Sequence, residues 1–103
     1  EVRDAAHLEE LLASEHVVVI LFKATWCGHC KEMTPEYYKA AEDHPDGLYA
    51  IADESAIGPD ALRKHNVQGF PSVRAYQNGT PKAEHTGPRS ADALMDFAKT
   101  SAK

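Results

Sequence analysis

Hydrophobic positions along this chain recur in two ways, and each way marks a kind of element. Leu8, Leu11 and Leu12 stand at helical spacing behind Asp4, a residue suited to accept from free N–H groups, so a helix is predicted over 4–14. The run Val17-Val18-Val19-Ile20-Leu21-Phe22 has no polar alternation. With His16 and Lys23 at its ends it reads as a central strand covered on both faces. Over 27–43 the residues Cys30, Met33, Tyr37 and Ala40 or Ala41 return on one side, with Lys31, Glu32, Glu36 and Lys39 around the other. Pro35 lacks the N–H that would bond the Lys31 carbonyl, so this helix is expected to kink without stopping.

Pro45-Asp46-Gly47 breaks the pattern, and 48–52 reads as a short buried strand that completes a strand–helix–strand crossover. Pro59, an inward Leu62 and a left-handed cap at Asn66 outline a short helix ending near 65. Strands over 72–77 and 82–86 flank Asn78-Gly79, a hairpin signal, and Pro81 places the second of them on an edge. Ser90 as N-cap, Asp92 in the first turn, and Leu94, Phe97 and Ala98 facing inward give a closing helix to about 101. The pattern as a whole is α/β: a mixed central sheet with helices on both faces.

A chain of 103 residues fits one domain, 1–103, with a core of its own. The net charge of -5, with both signs interspersed, argues against a nucleic-acid surface or a polybasic membrane patch and for protein or peptide partners. The longest apolar run is too short to span a bilayer, and no charged leader precedes it, so a soluble chain without an address is expected. Two cysteines are too few for a disulfide-stapled scaffold. They sit in Trp26-Cys27-Gly28-His29-Cys30, where a strand gives way to a helix. Cys27 then lies at a helix start, where unpaired N–H groups and the macrodipole favour a thiolate, while Cys30 faces inward. A structural disulfide across so short a loop would constrain the unfolded chain least. A zinc site lacks a second Cys or His pair at ligand spacing; His7, His16, His44, His65 and His85 are scattered and read as ordinary residues.

An aromatic-Cys-Gly-His-Cys-Lys sequence at the end of a buried strand resembles the catalytic, a-type thioredoxin-like domains of the protein disulfide isomerase family. About forty residues downstream, Val67-Gln68-Gly69-Phe70-Pro71-Ser72 resembles the family's cis-proline loop. Asn78-Gly79 lies at the family's hairpin turn, and Thr86-Gly87-Pro88-Arg89 resembles the segment carrying its arginine.

The resemblance implies a single three-layer domain of thioredoxin-like fold, excised from a longer protein, that forms and rearranges disulfides in protein clients. Cys27 would be an accessible nucleophile and Cys30 the resolving thiol, separated by Gly28 and by His29. The histidine would tune the couple toward oxidation, since thioredoxin-type motifs carry proline there. Pro71, cis by resemblance, would leave the Phe70 backbone open to pair with an extended client. Trp26 would offer an apolar contact, and Arg89 would approach Cys30 during release. Neither metal nor organic cofactor is implied beyond a redox-active Cys27–Cys30 disulfide. Glutathione or a thiol oxidase would be the redox partner, the domain monomeric, and the compartment the endoplasmic reticulum lumen. The rival readings are a thioredoxin-like reductase and a client-binding module with weak redox turnover.

The chain departs from the family in three places. Leu21 stands where a buried carboxylate usually handles the resolving cysteine's proton, so slow release is expected. Lys23 replaces an aromatic residue. Its ammonium either favours thiolate at the site or reaches water while its stem covers apolar surface. Thr25 replaces a proline, which is expected to alter loop stiffness and leave the chemistry alone.

Overall fold

The computed structural model describes residues 2–43, 48–85 and 90–101. Its elements run α1 (Ala5–Leu12), β1 (Val18–Lys23), α2 (Gly28–Asp43), β2 (Leu48–Asp53), α3 (Glu54–Lys64), β3 (Ser72–Gln77), β4 (Thr80–His85) and α4 (Ala91–Ser101). The strands form one mixed sheet in the order β2-β1-β3-β4. β1 pairs parallel with β2, and antiparallel pairs join β1 to β3 and β3 to β4. This is a thioredoxin-like α/β sandwich.

Strand β1 shows why its sequence lacks polar alternation. Val18, Ile20 and Phe22 project to one face, into a core with Leu8 and Leu12 of α1 and Ile57 and Ala61 of α3. Val19 and Leu21 project to the other, into a core with Met33, Tyr37 and Ala40 of α2 and Leu94 and Ala98 of α4. Side chains that alternate across a strand meet apolar partners either way when both faces are covered. The Tyr37 hydroxyl lies 2.8 Å from the Val19 carbonyl and 2.9 Å from that of Ala50, sharing its proton between them and fixing α2 across two strands.

Several expectations are corrected in detail. Strand β2 is an edge of the four-stranded sheet rather than a fully buried strand; only Ile51 and Ala52 are buried within it, and Leu48 is exposed. The outer side of β2 instead receives the Val2 N–H on the Ile51 carbonyl at 2.8 Å. Helix α3 begins at Glu54, five residues before Pro59, because Asp53 caps it by accepting from the Ser55 N–H. Gly58, at φ 82° and ψ 165°, then breaks the helix, and Pro59 restarts it. Its inward residues are Ile57 and Ala61, with Leu62 only partly buried. Helix α2 continues through Pro35, and its buried face, Cys30, Met33, Tyr37 and Ala40, is unbroken on either side.

The hairpin forms around Asn78 (φ 55°) and Gly79 (φ 78°), the left-handed pair that a tight two-residue turn requires. Its N–H groups dock on the end of α1, Asn78 to the Ser14 carbonyl at 2.8 Å and Gly79 to that of Leu12 at 2.7 Å. Pro81 sits on the terminal strand β4, beside an irregularity in register at Ala75/Tyr76. The breaker Pro45-Asp46-Gly47, His44 and the segment Thr86-Gly87-Pro88-Arg89 lie outside the described residues. Among the described residues no helix is long and apolar enough to cross a membrane.

Candidate active site

The central strand ends at Lys23, and Ala24, Thr25 and Trp26 carry the chain over the sheet's edge into α2. A turn closes there: the Cys27 N–H bonds the Ala24 carbonyl at 3.1 Å, and the Lys31 N–H bonds the Cys27 carbonyl at 3.3 Å. Cys27 thus stands directly before the first helical residue, and the Cys30 N–H points at its sulfur, 3.2 Å away. The sulfur thus accepts from one amide of the first helical turn. Both thiols are free.

Cys30 is inward as its spacing predicts, 1% exposed. Burial, and then the Cys27 sulfur beside it, push its thiol up to about 11; the Ala24 backbone and the Lys23 charge pull the other way. Cys27 is less open than a freely accessible nucleophile would be, at 6% exposed. The first helical turn folds its sulfur back over the Cys30 amide, and Phe70 packs on the cluster of Ala24, Cys27 and Cys30. Phe70 thus forms one side of the rim around the pair.

That rim is aromatic. The Trp26 indole, 70% exposed, meets the Phe70 ring edge to face with centroids 5.8 Å apart. Its N–H donates to Glu54 Oε1 at 2.6 Å, which fixes the plane of the indole. The Phe70–Pro71 peptide bond is cis. Ser72 Oγ closes the loop by donating to the Gly69 carbonyl at 2.7 Å. Gly28 opens α2 at the surface, and a Cβ there would meet nothing within 4 Å. His29 is exposed with its Nδ1 3.8 Å from Glu32 Oε2, so its described partner is that carboxylate rather than a cysteine. Arg89 lies outside the described residues.

Beneath the rim, Leu21 is fully buried, flanked in register by Ile51 and Val73. The charges lie one step further along the strand. Lys23 is directly opposite Asp53 on β2, and its Nζ is 3.6 Å from Asp53 Oδ2. Thr25 Oγ1 donates to the same oxygen at 3.1 Å, while the Ser55 amide and hydroxyl donate to Oδ1 at 2.9 and 2.7 Å. Burial works to raise the Asp53 carboxyl, but Ser55, Thr25 and Lys23 outweigh it and hold it below the usual carboxylate value. Two readings of the sequence change here. Lys23 is tied to a carboxylate instead of simply reaching water, and Thr25 is part of the charge network instead of loop stiffening alone. Asp53 and Glu54 were legible only indirectly, as the polar end of the second parallel strand, level with Lys23 at the end of the first.

Among the described residues no group of three His, Cys, Asp or Glu side chains is placed to hold a metal ion. The arrangement offers one two-electron chemistry, exchange between a dithiol and a disulfide.

Comparison with known proteins agrees with this geometry. The family model described as Thioredoxin matches residues 1–100. A protein disulfide-isomerase of Saccharomyces cerevisiae is 37% identical over 91 residues, 85% of this chain and 17% of that protein. One from Zea mays is 37% identical over 103 residues, 93% of this chain and 20% of its own length. The chain thus spans about one fifth of these curated relatives. Among solved structures, Fasciola hepatica thioredoxin superposes with a TM-score of 0.82 at 24% identity, covering 97% of this chain and 96% of its own. Human ERp44 superposes at 0.84 with 23% identity, over 92% of this chain and 30% of that one. These two similarities show the fold.

Proposed function

This chain belongs to the thioredoxin family, and from that premise we propose that it is one thioredoxin-like domain, 1–103, of a longer protein, catalysing thiol–disulfide exchange on protein clients. Domains of this family work through a redox-active cysteine pair and need no external cofactor. The observation that carries the reading is the asymmetry of the pair: one sulfur faces an amide at a helix start, and its mate is buried one turn below.

Cys27 attacks a client disulfide, giving a mixed disulfide and a client thiolate. Cys30 then attacks the Cys27 sulfur, the bond to the client breaks, and the Cys27–Cys30 disulfide forms as the client leaves reduced. Run in reverse, the same steps oxidise a client dithiol. Trp26 and Phe70 supply the apolar rim on which an extended client rests, with the backbone beside Phe70 and Pro71 free to pair with it. Gly28 and His29 separate the sulfurs. Arg89 completes the set by its place in the sequence, acting on Cys30 during release.

The Cys-Gly-His-Cys sequence, with the relatives named protein disulfide-isomerase, favours formation and rearrangement of disulfides over their reduction. The compartment is then the oxidising lumen of the endoplasmic reticulum, with glutathione or a thiol oxidase as redox partner. The domain acts as a monomer and takes proteins or peptides rather than nucleic acid or membrane. Refolding of a scrambled disulfide protein tests this reading. Native activity returns with the wild-type domain, and Cys27→Ser abolishes the effect. Slower aggregation without any reshuffling of bonds would mark a binding module instead.

A further inference from the structure

Client release requires a thiolate from Cys30, a buried thiol whose surroundings oppose ionisation. The strand beneath carries Leu21 on the face that packs against α2, so no carboxylate lies there to take the proton. Two residues further along the same face comes Lys23, since side chains of a strand repeat every second residue. The next residue, Ala24, is in the packed cluster with both cysteines. Lys23 is three-quarters buried, and its ammonium is held at the strand's end by Asp53, whose other bonds come from Thr25 and Ser55. A surface lysine would sample many rotamers and be screened by water. This one is fixed next to the residue on which Cys30 packs.

We propose that Lys23, anchored by Asp53 and Thr25, is a positioning residue for the release step, supplying the positive charge that stabilises the Cys30 thiolate. The assignment rests on the exchange reading given above. In the step it assists, Cys30 gives its proton to water and its thiolate attacks the Cys27 sulfur of the mixed disulfide. The Cys27–client bond breaks, the client sulfur leaves as a thiolate and takes a proton from water, and two electrons pass from the cysteine pair to the client. Among the described residues, the groups facing Cys30 are Cys27 just before α2, Lys23 from β1 and the uncharged Phe70 from the loop before β3; the Asp53 carboxylate of β2 is paired with Lys23. Glu32 and His29 pair with each other on the exposed side of α2.

Single-turnover traces with a disulfide peptide resolve the two steps, mixed-disulfide formation and its decay. The decay rate rises with pH as Cys30 ionises. In Lys23→Met that profile moves to higher pH by about half a unit, a roughly threefold slower release at neutral pH, because a fixed charge near a buried group contributes at this scale. Lys23→Arg, which keeps the charge, restores the profile. If Lys23→Met does not fold, Lys23→Gln is measured in its place. Identical decay profiles in the wild-type and uncharged variants, with mixed disulfide forming normally, overturn the assignment and leave the exchange reading intact. Failure of the wild type to form any mixed disulfide overturns both.

Discussion

At the scale of single residues, the site rests on which side chains are charged and where. Leu21 is fully buried between Ile51 and Val73, so a carboxylate introduced there would have apolar neighbours on both flanking strands. Leu21→Glu is accordingly expected to cost on the order of 3–5 kcal/mol in stability, the scale of an uncompensated buried charge, and urea unfolding checks it. Wild-type stability in that variant would mean that the site already holds a partner for a carboxylate. The residues of the Cys27–Cys30 motif were legible from spacing and order along the chain. The partners of Lys23 were not, because Asp53 lies thirty residues away and meets it only through the parallel register of two strand ends.

At the scale of elements, periodicity did most of the work and backbone punctuation the rest. Cys30, Met33, Tyr37 and Ala40 define the inner face of α2 in the sequence and in the structure alike. Helix α3 is longer than its sequence suggests, because Pro59 reads as a first turn whereas Asp53 caps an earlier segment and Gly58 joins two pieces. The conformation of Gly58 is nearly closed to other residues, and a Cβ there would meet no neighbour within 4 Å, so backbone strain alone sets the cost of replacing it. Gly58→Ala is predicted to lose about 1–3 kcal/mol. Gly28→Ala, at a helix start without positive φ or crowding, is expected to leave the midpoint of unfolding unchanged or raised. Equal losses in the two variants would contradict this account of α3.

At the scale of the whole molecule, the sheet brings together segments far apart in sequence at one end of β1. The segment after β1 delivers Ala24, Trp26 and Cys27, α2 delivers Cys30, the junction of β2 and α3 delivers Asp53 and Glu54, and the loop before β3 delivers Phe70. The order of strands was partly legible. An unbroken apolar run marked β1 as central, and Asn78-Gly79 fixed the β3–β4 hairpin. That β2 would be an edge was not, since a strand whose Ile51 and Ala52 enter the cores on opposite faces of the sheet reads locally like a central one. What must hold for the proposed exchange is that this assembly makes the two cysteines a reversible redox couple. Equilibrating the domain across glutathione buffers and counting its free thiols tests that claim most directly. The account predicts a reversible Cys27–Cys30 disulfide with a potential near the value of about −180 mV typical of protein disulfide isomerase, well above the roughly −270 mV of thioredoxin. Thiols that never pair, or that stop at mixed disulfides with glutathione, would contradict it.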